Sequence, residues 1–234
     1  MLRKMKKVLS SLLVISSLTT CIIVQAAPMS REYSNGISSV LKKYGVVHNK
    51  DLSHGILAYD TKVKVMNGIS NMYDTLDMYG LQDYFDPQDV TKLSGLKAED
   101  YAKIINDTGL EGYGYAFENI EKEYKINGLF VLGICILESG WGNSPLAHDK
   151  HNYTGMSAYD GNAYASAKTF DDLEDCVDYT AERLRNNYIN SDGKFYSGGK
   201  SIFHVNVYYC TQSDWSLKIV STLREEIREH LYVE

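Results

Sequence analysis

Residues 129–137, LFVLGICIL, run for nine positions without a charge or a side-chain amide, and a glutamate, Glu138, ends them. Burying the charged form of a carboxyl is costly, so an acid at the end of such a run is pushed towards its neutral form. A carboxyl still protonated near neutral pH can act as a general acid. The plainer reading, an exposed glutamate at a helix end, accounts for the position equally well on physics alone. Ser139-Gly140-Trp141-Gly142 follow at once, so whatever holds Glu138 changes direction immediately after it.

The flanking residues predict how the acid is carried. Asn127 is a helix cap, Gly128 opens the helix, and Gly140 with Gly142 supply its stop. Leu129, Leu132, Gly133, Ile136 and Leu137 form one apolar stripe, while Phe130, Val131 and Ile134 fill the other face. A helix apolar all round belongs in the middle of a domain. Ser144-Pro145 then reads as the cap and first position of another short helix. Glu138 thus stands at a break between two helices, where a cleft can open.

The two segments ESGWGNSPLA and NYTGMSAYDG, residues 138–147 and 152–161, carry a resemblance. Together they resemble the signature of bacterial endo-β-N-acetylglucosaminidases of glycoside hydrolase family seventy-three, the peptidoglycan-cleaving autolysins. That pattern is an acid, Ser or Thr, Gly, Trp and Gly, a short helix, then Asn, an aromatic or Leu, a variable residue and Gly. The resemblance runs from about Asp89 to Leu231. It implies an α+β, mostly helical, lysozyme-like catalytic domain with a small β-lobe, peptidoglycan glycan strands as partner, and Glu138 as the catalytic acid.

Three divisions are expected along the 234 residues: a signal peptide over 1–26, an N-terminal leader over 27–88, and a catalytic domain over 89–234. Arg3, Lys4, Lys6 and Lys7 precede an apolar stretch, and Val24-Gln25-Ala26 forms a cleavage site. Thr19-Thr20-Cys21 is a poor match to a lipoprotein box. The chain is therefore expected to be secreted to the cell wall without stable membrane insertion. Four of the 24 basic residues lie in the first 26, leaving 20 against 30 acidic and a formal charge of −10. That balance argues against nucleic acid as a partner and against clinging to anionic wall polymers. A monomer is expected. Cys135, Cys176 and Cys210 are an odd set for an exported chain, and the apolar run around Cys135 raises its thiol pKa, which argues against a nucleophile.

The helical periods predict helices over about 97–106 and 115–124, the latter with Phe117, Ile120 and Tyr124 inward and Glu118, Glu121 and Glu123 on a solvated face. Ser157 to Tyr164, with Asp160-Gly161 as the turn, reads as a hairpin and would be the β-lobe. A helix near Leu173–Tyr188 and a turn-rich loop over 190–199 follow. HVNVYYCTQSDWSLKI, residues 204–219, is similar to the family's Asn-x-x-Tyr segment, on which Asn206 and Tyr209 fall. Asp214 should cap the last helix, and Trp215 reads as core before ligand.

Glycosidic cleavage needs an acid on the leaving oxygen and a second group that activates water or traps the sugar cation. Asp160 is a candidate for the second group, although a simple turn residue explains it better. The substrate's own N-acetyl group is the alternative, with Tyr209 orienting it or stabilising developing charge. Trp141, Asn152, Tyr153, Gly155, Tyr159, Tyr164 and Asn206 are the candidate sugar contacts, because sugars offer apolar faces to rings and hydroxyls to amides. His148 and His151 have no accompanying metal motif, so neither metal nor cofactor is expected. Rival readings are a muramidase or lytic transglycosylase of the same fold, and a non-catalytic wall-binding protein.

Overall fold

The computed structural model describes residues 81–157, 163–212 and 214–232. The expected signal peptide and almost all of the leader lie outside them, as do Tyr159 and Asp160. Among the described residues every regular element is helical: α1 Leu81–Tyr84, α2 Ala98–Ile105, α3 Gly114–Tyr124, α4 Gly128–Ser139, α5 Pro145–Lys150, α6 Ala163–Ser166, α7 Leu173–Leu184, α8 Ile202–Tyr209 and α9 Trp215–His230. A π-turn, Arg185–Ile189, extends α7.

The helix α4 is the axis, packed against α3, α7 and α9. Gly128 to Ile136 are buried without a break, as its all-round apolar sequence requires. Its start is fixed by Asn127, whose Oδ1 accepts the Phe130 N–H at 3.2 Å while Nδ2 donates to the Tyr84 and Lys92 carbonyls. Gly133 sets the spacing to α9, for a Cβ there would come within 2.6 Å of Ile219 Cγ2. Close contact at that point brings the first residue of α9, Trp215, to the C-terminal end of α4.

Two expectations are corrected here. Glu121 is buried rather than solvated, and its carboxylate accepts from Ser94 N, Gly95 N, Tyr101 Oη and Gly128 N. Positions 117, 120, 121 and 124 share one helical face, so the glutamate lies on the inward stripe that Phe117 and Ile120 define. The second arm of the expected hairpin is the helical turn α6. Ala163, Tyr164, Ala165 and Ser166 tolerate a helix, and the Lys150 ammonium ties the turn down through the Tyr164 and Ala167 carbonyls at 2.6 and 3.0 Å.

Candidate active site

The chain reverses sharply after Glu138. Gly140, Trp141 and Gly142 are all left-handed, with φ of 56°, 62° and 80°. For Trp141 this conformation is costly. It is held by the Ser139 hydroxyl, which accepts the Gly142 N–H at 2.7 Å, and by the Gly109 N–H on the Trp141 carbonyl at 2.9 Å. The Ser144 side chain then caps α5 on Ala147 N, with Pro145 at the first position, as Ser144-Pro145 predicts. Glu138 is left in the last turn of α4, beside the chain break.

Glu138 is exposed at its surface, yet protein atoms crowd its carboxylate from most sides, and that burial pushes its pKa up. The two descriptions fit a carboxyl that protein atoms crowd but water still reaches, which tempers the shift. Opposing the rise are a hydrogen bond from Trp215 Nε1 to Oε1 at 2.7 Å and the Lys218 ammonium. The second oxygen faces Gly155: a Cβ added there would stand 3.4 Å from Oε2. Because Gly155 lacks a side chain and takes φ +70°, the segment can pass directly across from the acid.

That facing segment, residues 152–156, is held from behind. The Tyr153 N–H points at Cys176 Sγ, and the Thr154 and Thr180 hydroxyls pair at 2.8 Å. Tyr209 donates from Oη to the Thr154 carbonyl at 3.0 Å, and its ring stacks on Trp215 at 4.8 Å between centroids. Burial, and then the nearby Glu138, hold the Tyr209 hydroxyl pKa well above its ordinary value, so it stays a neutral donor. Burial likewise raises the Cys135 thiol, which leaves it an apolar filler on α4.

The structure thus brings Glu138, Gly155 and Tyr209 together and adds Trp215, which the sequence reads as core before ligand. Trp215 is indeed buried, but its one polar atom is turned to the acid. Asn152 and Asn206 have a different place from the sugar-contacting one expected. Both are buried, with amides directed inward. Asn152 binds Met156 N, Met156 O and Lys168 O. Asn206 donates to Cys210 O and Gln212 O and accepts from Ser216 N and Oγ. In doing so it caps α9, the task expected of Asp214, which makes no cap bond and pairs instead with Lys218 at 3.1 Å.

Tyr153 is buried and Trp141 half-exposed. Tyr164 is exposed, with its hydroxyl on Asp149 at 2.7 Å and the Lys150 ammonium 5.0 Å from its ring centroid. Among the described residues no cluster of three or more His, Cys, Asp or Glu side chains could hold a metal ion, and no helix is long and apolar enough to cross a membrane.

Residues 114–227 match the family model of the mannosyl-glycoprotein endo-beta-N-acetylglucosaminidases. Two Streptococcus pneumoniae proteins, from different strains and each named "Putative endo-beta-N-acetylglucosaminidase", are 36% identical to the chain over 152 residues. These matches take in 63% of this chain, which spans only 23% and 21% of the two relatives' lengths. Among solved structures, S. aureus autolysin E is similar with a TM-score of 0.51, 19% identity and coverage of 70% of this chain and 78% of that one. A catalytic mutant of the same autolysin, in complex with the disaccharide NAG-NAM, aligns with a TM-score of 0.50 at 19% identity over 61% and 71% of the two chains. At that identity the likeness speaks for the fold, the lysozyme-like one of the autolysins.

Proposed function

Residues 114–227 form a glucosaminidase-family domain, and on that premise we propose that this chain is a peptidoglycan hydrolase cleaving the β-1,4 bond after N-acetylglucosamine. The observation that carries the reading is Glu138: a carboxyl with one oxygen anchored on Trp215 and the other across from Gly155, and with a pKa raised by burial. A neutral acid in that position protonates the glycosidic oxygen as the C1–O bond breaks and the sugar takes on oxocarbenium character. The disaccharide and muropeptide bound in the autolysin E crystals support a glycan strand as the substrate.

The second group is either Asp160 or the substrate's own acetamido oxygen. The Tyr209 hydroxyl lies on the Thr154 carbonyl, which favours a role in holding the wall opposite the acid over direct work on the sugar. Trp141, Tyr153, Tyr159, Gly155 and Tyr164 remain the proposed sugar contacts, with Asn152 and Asn206 as staples of the segments that present them. Export belongs to the same proposal. Removal of residues 1–26 would place the enzyme outside the membrane with its substrate, and N-terminal sequencing of secreted protein should begin at Ala27.

The deciding experiment digests purified peptidoglycan with residues 27–234, reduces the fragments with borohydride and reads them by mass. Reduced glucosamine ends support the proposal. Reduced muramic ends indicate a muramidase, anhydro-muramic ends a lytic transglycosylase, and binding without fragments a wall-binding protein.

A further inference from the structure

We infer that Trp215 is a positioning residue for Glu138, holding the carboxyl so that its transferable proton sits on Oε2, the oxygen beside Gly155. This rests on the reading of Glu138 as the acid, and begins from the polarity of one hydrogen bond. An indole N–H only donates, so Oε1 must accept it. In a neutral carboxyl the carbonyl oxygen is the better acceptor and the hydroxyl oxygen the donor. The Trp215 bond therefore selects Oε1 as the carbonyl oxygen and sends the acid proton to Oε2. That oxygen faces a glycine, the one residue that puts no side chain in front of it.

The indole can impose this choice because it cannot follow a rotating carboxylate. It is buried, it is the first residue of α9, and Asn206 fixes that helix start through Ser216 N and Oγ. Its ring lies on Tyr209, while Gly133 fixes the distance from α9 to the helix that carries the acid. Tyr209 also holds the Thr154 carbonyl, so one aromatic pair locates both the acid and the wall facing it. A carboxyl free to rotate would present its proton in two directions, and only one serves a bound glycosidic oxygen.

The same bond bears on pH. Among the described residues the groups that face Glu138 are Lys218 and Trp215 of α9, Tyr209 of α8, and Cys135 of its own helix. Burial keeps the tyrosine and the thiol neutral across the working range, so the Trp215 bond and Lys218 favour the carboxylate against desolvation. Removing the indole N–H takes away a contact to the charged form. The pH at which the acid loses its proton then rises, although the acid itself is less well aimed. A purely structural tryptophan would not combine these two effects.

The test is Trp215→Phe, which keeps a ring against Tyr209 and deletes the N–H. The expected result on peptidoglycan is kcat lowered roughly three- to thirtyfold with KM within about twofold, as for loss of one charge-assisted contact. The basic limb of the pH profile should move to higher pH. A second reading uses the wild-type protein. Trp141 and Trp215 are its only tryptophans, so an ¹⁵N spectrum holds two indole signals, which Trp141→Phe assigns. The Trp215 signal should titrate with the midpoint of the basic limb. A folded Trp215→Phe enzyme with unchanged kcat and limb, or an indole signal flat through the pH where activity falls, overturns the inference. Glu138→Gln reports separately on the hydrolase reading: an active glutamine variant overturns that reading, and a dead one leaves the tryptophan question to the measurements above.

Discussion

Helix α4 has a glutamate carboxylate at each end, and the two have opposite fates. At its N-terminus Glu121, reaching over from α3, is met by three backbone N–H groups and the Tyr101 hydroxyl at 2.7–3.3 Å. The helix dipole adds positive potential there, which suits a negative charge. At the C-terminus Glu138 has one protein donor among the described residues, Trp215, stands at the negative end of the dipole, and is exposed at its surface. The first is a staple, joining the Ser94-Gly95 loop, α2 and the start of α4. The second is left short of donors, and burial in that position lets the carboxyl hold its proton to higher pH than a free glutamate. Residue type alone distinguishes neither; the number of donors and the end of the helix decide.

The sharpest way to break this contrast is Glu138→Gln, which keeps shape and removes the proton. Wall-lytic activity should fall by at least about a thousandfold, the upper range for acid catalysis with its associated positioning. Circular dichroism should be unchanged. Stability carries a further sign. The folded-state pKa of Glu138 lies above its unfolded value, so whatever the neutral carboxyl contributes is present at low pH and is lost as pH rises through the folded value. The glutamine variant should therefore gain Tm relative to wild type as pH is raised through that window. A constant Tm difference across it would show that Glu138 is not desolvated.

At the other end of α4 the reciprocal result is expected. Glu121→Ala orphans the buried N–H groups of Ser94 and Gly128 and leaves the Tyr101 hydroxyl only its bond with Ser94 Oγ, and should cost about 3 kcal/mol in denaturant unfolding. Activity per folded molecule should be kept below the unfolding transition. If instead catalysis collapses with stability intact, Glu121 takes part in the chemistry and the division of labour along α4 fails.

Between the two ends lies the wall opposite Glu138. Tyr209→Phe removes one bond to the Thr154 carbonyl while keeping the ring on Trp215. Turnover should fall about tenfold, as for loss of one polar contact that orients the site. Proteolysis of native protein near residues 152–156 should quicken at the same time. Wild-type turnover in a folded variant would make the hydroxyl mere packing.

What could be read in the sequence followed the range of each interaction. Helix α4, its Asn127 cap, the Gly140–Gly142 stop and the Ser144-Pro145 start are local signals written within a few residues, and they stand where expected. The alternation over Ser157–Tyr164 was weaker: the turn α6 occupies its second arm, held by Lys150 from another element. Asn152 and Asn206 were chosen for sugar binding, whereas their buried amides bond to the backbone of their own neighbourhood and to Ser216. For Trp215 and Glu121 the decisive partners, Glu138 and Ser94, lie far off in sequence, so no local pattern names them. A signal for Glu121 was nonetheless present in its inward position between Ile120 and Tyr124.

The smallest expected effect concerns Tyr164 rather than either end of α4. Tyr164 is an exposed ring whose hydroxyl is committed to Asp149 and whose face lies near the Lys150 ammonium. Its pKa is raised by that hydrogen bond first and by slight burial second, so near neutral pH the hydroxyl is a neutral donor with its partner already chosen. Tyr164→Phe should leave kcat and KM within about twofold of wild type, because the ring survives and the lost bond is open to solvent. Tyr164→Ala separates the two readings of the ring. A sugar platform binds ground state and transition state alike, so its removal should raise KM about threefold and leave kcat unchanged. A KM unchanged in both variants would make Tyr164 a tether for α6 and confine recognition to the groove walls beside Glu138.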